Sequence, residues 1–184
     1  MHSPSGQRAV FLDRDGTIIE DVDYLTTVDE LRLLPGVPEA LRRLREAGLL
    51  LLVVTNQSAV ARGWLTEDGL QEIHRRLGKL LAEQGAQVDD FLYCPHLPDG
   101  EVAEYAVECS CRKPAPGLLK RAAEKWNVDM ASSFAVGDSE RDVQAGISAN
   151  CYSILLSEDE STATAAGAVA RDLPEAADLI LEQL

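Results

Sequence analysis

Hydrophobic residues along the chain gather in five short continuous runs. The runs are Ala9–Leu12, Leu49–Val54, Phe91–Tyr93, Phe134–Val136 and Tyr152–Leu156. Runs of this length without alternating polar residues are typical of strands that are buried on both faces of a parallel sheet. The pattern therefore predicts five parallel strands.

Between these runs, hydrophobic residues recur every three or four positions, which is the spacing of one helix face. The clearest case begins at Thr66, a suitable N-cap, and continues to Leu81. Four other helices are predicted around Val37, Ala40, Leu41 and Leu44; Leu118, Leu119, Ala122 and Trp126; Val143, Ala145 and Ile147; and Ala176, Leu179 and Ile180. Residues 157–170 are interpreted as a surface connection. Alternating strands and helices indicate an α/β fold, a parallel sheet flanked by helices.

Length and charge narrow the possible classes of protein. The 184 residues suit one domain over 1–184, in which residues 1–7 are expected to form a loose leader. Seventeen basic and 31 acidic residues give a net charge of −14, which would repel nucleic acids and anionic membranes. No apolar run approaches the roughly 20 residues of a membrane helix, and the N-terminus has no apolar signal region. We expect a cytoplasmic monomer.

Polar residues follow the predicted strands, where parallel sheets bind ligands. Asp13 and Asp15 follow the first strand, Thr55 and the residues after it follow the second, and Asp138 follows the fourth. Carboxylates gathered at one edge favour Mg²⁺, which relieves their mutual repulsion. Gly16 with the next residue would make a sharp turn and aim backbone amides at an anion. The alternative for Asp13 and Asp15 is an Asp-Gly turn with one solvated carboxylate.

Three cysteines and a histidine form a second cluster of possible ligands. Cys94 and His96 precede Cys109 and Cys111 by twelve intervening residues, and a Cys₃His set suits tetrahedral zinc in a structural site. The alternative is a group of inert thiols with an incidental histidine. Cys151, at the start of a strand, is expected to be a core thiol.

Four sequence motifs carry a resemblance to a known family. They are F-L-D-R-D-G-T at residues 11–17, V-V-T-N-Q-S at 53–58, C-R-K-P at 111–114 and V-G-D-S-E-R-D at 136–142. Their order and spacing, over about residues 8–157, resemble those of the haloacid dehalogenase (HAD) phosphatases. The resemblance implies a Rossmann-like HAD fold, and the intervals between motifs are too short for a large cap domain.

The resemblance also implies a reaction and assigns residues to it. Asp13 would be the nucleophile that forms an aspartyl-phosphate, and Asp15 would be the general acid and then the general base. Thr55 and Lys113 would stabilise the phosphoryl group, although a lysine such as Lys113 is often merely solvated. Mg²⁺ would be held by the Asp13 carboxylate, the Asp15 backbone carbonyl and Asp138.

The long cysteine-containing loop resembles one subgroup of the family, whose members act on heptose bisphosphates or on histidinol phosphate. It implies removal of the 7-phosphate of a heptose 1,7-bisphosphate, with histidinol phosphate or another small phosphorylated metabolite as the alternative. The implied substrate contacts are Asp21, Val22, Asp23, Tyr24, Asn56, Gln57, Ser58, Arg112 and Ser139. Arg112 would bind the phosphate at C1, a role that suits a guanidinium group. Ser139 stands where the heptose enzymes often have lysine, which removes one possible phosphate contact.

Other interpretations remain at this point. Asp21 and Asp23 can be solvated loop acids, and Arg112 can be a surface ion-pair partner. His74 is expected to pack within the hydrophobic face of its helix, and Arg62 to be a loop residue within reach of the substrate. A zinc-stabilised module without activity and a phosphotransferase are the rival functions.

Overall fold

Six parallel strands form one sheet in the computed structural model, which describes residues 6–159 and 161–184. The strands are β1 (Ala9–Leu12), β2 (Leu50–Asn56), β3 (Asp90–Cys94), β4 (Phe134–Gly137), β5 (Tyr152–Leu156) and β6 (Ala168–Ala170). Their order across the sheet is β3-β2-β1-β4-β5-β6. The five predicted strands are confirmed, with shifts of one or two residues at some ends.

The sixth strand corrects the interpretation of residues 157–170 as a surface connection. Ala168–Ala170 pairs with β5, with Ala168 opposite Ile154 and Ala170 opposite Leu156. The strand has three small residues and lies at the sheet edge, so it lacks the long hydrophobic run that marks a central strand.

Five α-helices cover the sheet in the described residues: α1 (Val37–Glu46), α2 (Glu67–Glu83), α3 (Gly117–Trp126), α4 (Glu140–Ser148) and α5 (Leu173–Leu181). All five were predicted, and Thr66 caps α2 by accepting a hydrogen bond from the Gly69 amide at 3.1 Å. Ile147 departs from the predicted hydrophobic face of α4, because its side chain is exposed. Two short 3₁₀ turns, Val28–Glu30 and Met130–Ser132, were not predicted.

Alternate residues of each central strand point into two separate hydrophobic cores. In β1, Val10 and Leu12 face the core formed with α1, α2 and α5, whereas Ala9 and Phe11 face the core formed with α3. All four are buried. Burial on both faces explains why the strand has no polar alternation.

The strand order reverses beside β1, and this reversal positions the site. After β1 the chain builds β2 and β3 on one side, and it then crosses to β4 on the other. The segments that follow β1 and β4 therefore diverge from a common crevice, the usual ligand position in such sheets. Asp13 and Asp138 stand at this crevice.

Within residues 6–159 and 161–184, no large cap domain interrupts the fold, as expected. Residues between β1 and α1 form a loop with one 3₁₀ turn, and those between β3 and α3 form the cysteine-containing loop. Residues 1–5 of the predicted leader lie outside the described residues. Gln7 is already tied to the fold, since its amide donates to the Asn127 carbonyl at 2.8 Å. Among the described helices, none is both long and apolar enough to span a membrane.

Candidate active site

The loops at the carboxyl ends of β1, β2 and β4 enclose a cavity of about 450 Å³. It collects almost every residue assigned to catalysis or substrate contact. The lining comprises Asp13, Arg14, Asp15, Asp21, Asp23, Tyr24, Leu25, Thr55, Asn56, Gln57, Ser58, Ala59, Arg62, Arg112, Lys113, Asp138, Ser139, Arg141 and Asp142. Val22 is the exception, since it is exposed and absent from the lining.

Lys113 forms the charged centre of the cavity floor. Its Nζ donates to Asp13 Oδ1 at 2.9 Å and to the Val54 carbonyl at 2.8 Å, and it lies 2.6 Å from Asp142 Oδ1. The lysine side chain is only 4% exposed. A buried ammonium group is costly unless it is paired, and two carboxylates compensate this one.

Burial and neighbouring charges change the proton affinity of these groups. Desolvation raises the pKa of Asp13 to about 6, against the lowering effect of Lys113. Burial of the carboxyl group, together with the charges of Asp13 and Asp142, raises the pKa of Asp138 to about 7. Burial alone would lower the pKa of Lys113, but the two carboxylates reverse this effect and raise it. A concentration of negative charge at this depth favours binding of a cation.

Three carboxylates are arranged so that one metal ion could contact them. Oxygens of Asp13, Asp138 and Asp142 lie within 4.8 Å of one another. The backbone of Gly16, at a φ of +73°, passes so close to Asp138 that a Cβ atom there would overlap its carboxylate. Oxygen ligands and close backbone approach fit Mg²⁺. Asp142 was not among the predicted ligands, and its pairing with Lys113 gives it a second role.

The residues after β2 hold neighbouring groups of the cavity in place. Asn56 exchanges two hydrogen bonds of 3.0 Å with the backbone of Lys113. Gln57 Nε2 donates to Thr55 Oγ1 and to Asp15 Oδ2, both at 2.8 Å. Asn56 and Gln57 line the cavity as predicted, and they also position their neighbours.

The turn after Asp15 does not supply the anion-binding amides that we expected. The Gly16 amide donates to the Ile19 carbonyl at 2.8 Å, and the Thr17 amide donates to the Arg14 carbonyl at 3.4 Å. Both donors are therefore consumed within the turn itself. This part of the prediction is wrong.

The Cys₃His set is assembled in one place. Four ligand atoms lie within 4.8 Å of one another: Sγ of Cys94, Cys109 and Cys111, and Nδ1 of His96. Five of the distances between pairs of these atoms are 3.1–3.6 Å. A tetrahedral zinc ion with Zn–S bonds of about 2.3 Å separates its sulfur ligands by about 3.8 Å. The donors therefore fit a closed zinc site. Cys151 lies apart and buried, as predicted.

The cysteine-containing loop is joined directly to the cavity. Arg112, next to Cys111, donates from Nη1 to the His96 carbonyl at 3.2 Å. On the other side, Tyr105 donates to Glu67 at the start of α2 at 2.9 Å. Hydrogen bonds thus anchor the segment that carries Arg112 and Lys113 next to the four cysteine and histidine side chains.

Arg62 and Tyr24 line one side of the cavity, and Trp64 packs against both of them. The Tyr24 and Trp64 rings meet edge to face with centroids 4.8 Å apart, and the guanidinium carbon of Arg62 lies 5.4 and 5.3 Å from their respective centroids. Within the described chain, Arg62 Nε is buried without a hydrogen-bond partner. Arg62 therefore brings a positive charge to the cavity, and its Nε–H group has no hydrogen-bond acceptor among the described residues.

Several residues of the site were missed by the sequence reasoning. Arg14, Arg141 and Asp142 line the cavity, and none was assigned a role. Asp142 had a detectable signal, since an acid three residues after Ser139 suits a helix start. It accepts hydrogen bonds from the Ser139 amide at 3.1 Å and hydroxyl at 2.7 Å. No local pattern indicated Arg14.

Residues 20–150 match the family of haloacid dehalogenase-like hydrolases. The chain belongs to the haloacid dehalogenase-like hydrolase family. This HAD chain is 43% identical over 164 residues to the D-glycero-β-D-manno-heptose-1,7-bisphosphate 7-phosphatase of Yersinia pestis, covering 89% of this chain and 87% of the relative. It is 43% identical over 148 residues to the enzyme of the same name from Escherichia coli strain K12, covering 80% and 78% respectively.

A solved structure extends the similarity to the whole fold. The D,D-heptose 1,7-bisphosphate phosphatase from B. bronchiseptica, complexed with magnesium and phosphate, superimposes with a TM-score of 0.83 at 34% identity. The match covers 97% of this HAD chain and 99% of the other. The chain is therefore a phosphatase of the HAD family, a phosphoric monoester hydrolase, and the predicted enzyme class is confirmed.

Proposed function

We propose that the protein is a Mg²⁺-dependent phosphatase that removes the 7-phosphate of D-glycero-β-D-manno-heptose 1,7-bisphosphate through an aspartyl-phosphate. The observation that carries the proposal is the meeting of Asp13, Lys113 and Thr55 with Asp138 in one cavity at the strand ends. A nucleophile, phosphoryl-stabilising donors and carboxylate metal ligands are the parts that phosphoryl transfer needs.

In the first half of the reaction, an Asp13 oxygen bonds to phosphorus while the bond from phosphorus to the sugar oxygen breaks. Asp15 gives its proton to that leaving oxygen. In the second half, Asp15 takes a proton from water as the water oxygen attacks phosphorus and the Asp13–phosphorus bond breaks. Lys113 and the Thr55 hydroxyl stabilise the charge on the transferred group, since both residues are buried and line the cavity.

Mg²⁺ would be held by Asp13, Asp138 and the Asp15 backbone carbonyl. When bound, it would neutralise the negative charge that otherwise keeps a phosphate dianion away from the Asp13 carboxylate. Asp142 is already engaged by Lys113 and Ser139, so we assign it to positioning that lysine. Each of the four aspartates near Lys113 thus has an assigned role: Asp13, Asp15, Asp138 and Asp142.

The substrate assignment is supported by the named relatives and by the basic residues around the cavity. A bisphosphate needs a second anion site away from Lys113. Arg62, Arg112 and Arg141 line the cavity, and the buried Nε of Arg62 has no partner among the described residues. A guanidinium group can donate two parallel hydrogen bonds to two oxygens of the same phosphate. Ser139 stands where related enzymes often have a lysine and carries no charge. The three arginines supply the positive charge for the second phosphate instead.

Zn²⁺ is the second metal of the proposal, with Cys94, His96, Cys109 and Cys111 as ligands. Burial raises the pKa of the Cys94 thiol above its ordinary range, with a further contribution from Cys111. A bound cation would deprotonate the thiols and stabilise the loop. We assign this metal a structural role, because four protein ligands leave no open position.

Replacement of the nucleophile tests the reaction. Asp13→Asn keeps the size of the side chain but cannot form the aspartyl-phosphate, so we expect phosphate release from 4-nitrophenyl phosphate in Mg²⁺ to fall by roughly 10³-fold or more. The circular dichroism spectrum should not change. Asp29→Asn, at an exposed acid outside the cavity, is the matched control and should keep full activity. Turnover of Asp13→Asn within tenfold of the wild type would refute the proposal.

A further inference from the structure

Arg14 is a buried cation beside the proposed nucleophile, and the reaction described above gives it no role. It lies between Asp13 and Asp15 in the chain and is only 1% exposed. Its guanidinium group makes three contacts with Asp15, from Nε to Oδ1 at 3.3 Å and to Oδ2 at 3.2 Å, and from Nη2 to Oδ1 at 3.0 Å. A buried, two-pronged contact of this kind restricts the orientation of a carboxylate strongly.

Gln57 closes a ring of hydrogen bonds with these two residues. Arg14 Nη2 donates to Gln57 Oε1 at 2.9 Å, and Gln57 Nε2 donates to Asp15 Oδ2 at 2.8 Å. Each of the three side chains is thus bonded to the other two. The Asp15 carboxylate cannot rotate without breaking contacts to both partners.

His74 holds the far end of the arginine. Arg14 Nη1 lies 3.2 Å from His74 Nε2, and because arginine only donates, this nitrogen must accept and carry no proton. Burial and the adjacent guanidinium lower the pKa of His74 to about 3, so the ring is neutral. The ring also stacks on Phe91 with centroids 4.9 Å apart, which fixes its orientation.

We propose that Arg14, held by Gln57 and His74, is a positioning residue that orients the Asp15 carboxyl group for proton transfer to the leaving oxygen. This inference rests on the proposed function, in which Asp15 is the general acid. Contacts then run from His74 on helix α2 through Arg14 to Asp15, which transfers the proton. His74, which does not line the cavity, would then influence the chemistry through Arg14 alone.

The dependence of rate on the leaving group distinguishes positioning from a merely structural role. Phenyl phosphate and 4-nitrophenyl phosphate have similar shapes, but phenolate is the more basic leaving group and needs the proton more. Misplacing Asp15 should slow phenyl phosphate selectively, whereas loosening the fold should slow both. We expect Arg14→Met to lower kcat for phenyl phosphate about 100-fold and kcat for 4-nitrophenyl phosphate less than about 5-fold.

Two variants at His74 keep the test independent of whether Arg14→Met folds. His74→Leu removes the acceptor and should lower kcat for phenyl phosphate about tenfold relative to 4-nitrophenyl phosphate, whereas His74→Gln keeps an acceptor and should restore the wild-type ratio. Arg76→Met, on the same helix but outside the cavity, should leave the ratio unchanged. When Asp15 is already replaced by Asn, Arg14→Met should not lower kcat for phenyl phosphate further, because both substitutions disrupt the same proton transfer.

The outcomes separate the two proposals. If the folded Arg14 and His74→Leu variants slow both substrates equally, or slow neither, the positioning role is wrong while the phosphatase reaction stands. If the wild type hydrolyses neither substrate in Mg²⁺, the proposed function fails and the inference fails with it.

Discussion

Asp13, Asp15 and Asp138 illustrate what single residues reveal before a structure is known. Each is an acidic residue within three positions of the end of a hydrophobic run, and the rule that parallel strands bind ligands at their carboxyl ends places all three together. Lys113 is different, because its contact with Asp13 joins positions 100 residues apart. Its pairing with Asp142 and the ring around Arg14 depend on side-chain packing that no local pattern encodes.

His74 provides a prediction about stability at the scale of one residue. Its pKa is about 3 in the folded protein and 6.5 when unperturbed, so between these values the unfolded state binds a proton that the folded state excludes. The His74 contribution to the free energy of unfolding should therefore decrease as pH falls below 6.5, by about 2 kcal/mol at pH 5, whereas the raised pKa values of Asp13 and Asp138 contribute in the opposite direction. Urea unfolding of the wild type and His74→Gln between pH 7.5 and 5 measures this effect.

His74→Gln lacks the titrating ring but shares all other titrating groups, so the wild type should lose stability relative to this variant as pH falls, by a difference that approaches the amount given for pH 5. The variant keeps a hydrogen-bond acceptor for Arg14, which separates the proton effect from the loss of a contact. Parallel pH dependences for the two proteins would show that His74 is not held neutral.

At the scale of elements, hydrophobic runs predicted the five longer strands and helical spacing predicted all five helices. Strand β6 was missed because three small residues at a sheet edge carry little pattern. The cysteine spacing predicted the ligand cluster, but it could not show that Arg112 bonds to the His96 carbonyl or that Tyr105 bonds to helix α2. These contacts hold the loop in place beside the cavity residues Arg112 and Lys113.

Removal of one ligand from the cluster tests this support. Cys109→Ser should lose bound zinc, since the serine hydroxyl is a much weaker ligand than a thiolate. Because Arg112 and Lys113 follow the cluster directly, KM should rise about tenfold, whereas the Mg²⁺ concentration for half-maximal activity should change less than twofold. Cys151→Ser, at a buried cysteine outside the cluster, is the matched control for loss of a thiol.

Metal analysis accompanies these kinetics. The wild type and Cys151→Ser should each contain about one zinc ion per chain. Wild-type protein that carries no zinc after purification without chelators would contradict the structural assignment, as would a Cys109→Ser variant with unchanged zinc content and KM.

For the whole molecule, a net charge of −14 has to be reconciled with a phosphorylated substrate. The cavity resolves the conflict locally, because five basic side chains line it together with six aspartates, two of which would be neutralised by Mg²⁺. The remaining acidic residues repel polyanions at long range and act little on a small molecule inside the cavity. A monomer remains our prediction for the assembly.

Substrate preference is the property of the whole molecule that tests the central proposal most directly. The measurement is kcat/KM in Mg²⁺ for D-glycero-β-D-manno-heptose 1,7-bisphosphate, its α anomer and histidinol phosphate, with the product identified by ³¹P NMR. We predict that the β bisphosphate is preferred over histidinol phosphate by about 100-fold or more and that the product retains the phosphate at C1. Preference for histidinol phosphate, or release of the C1 phosphate first, would contradict the proposed function.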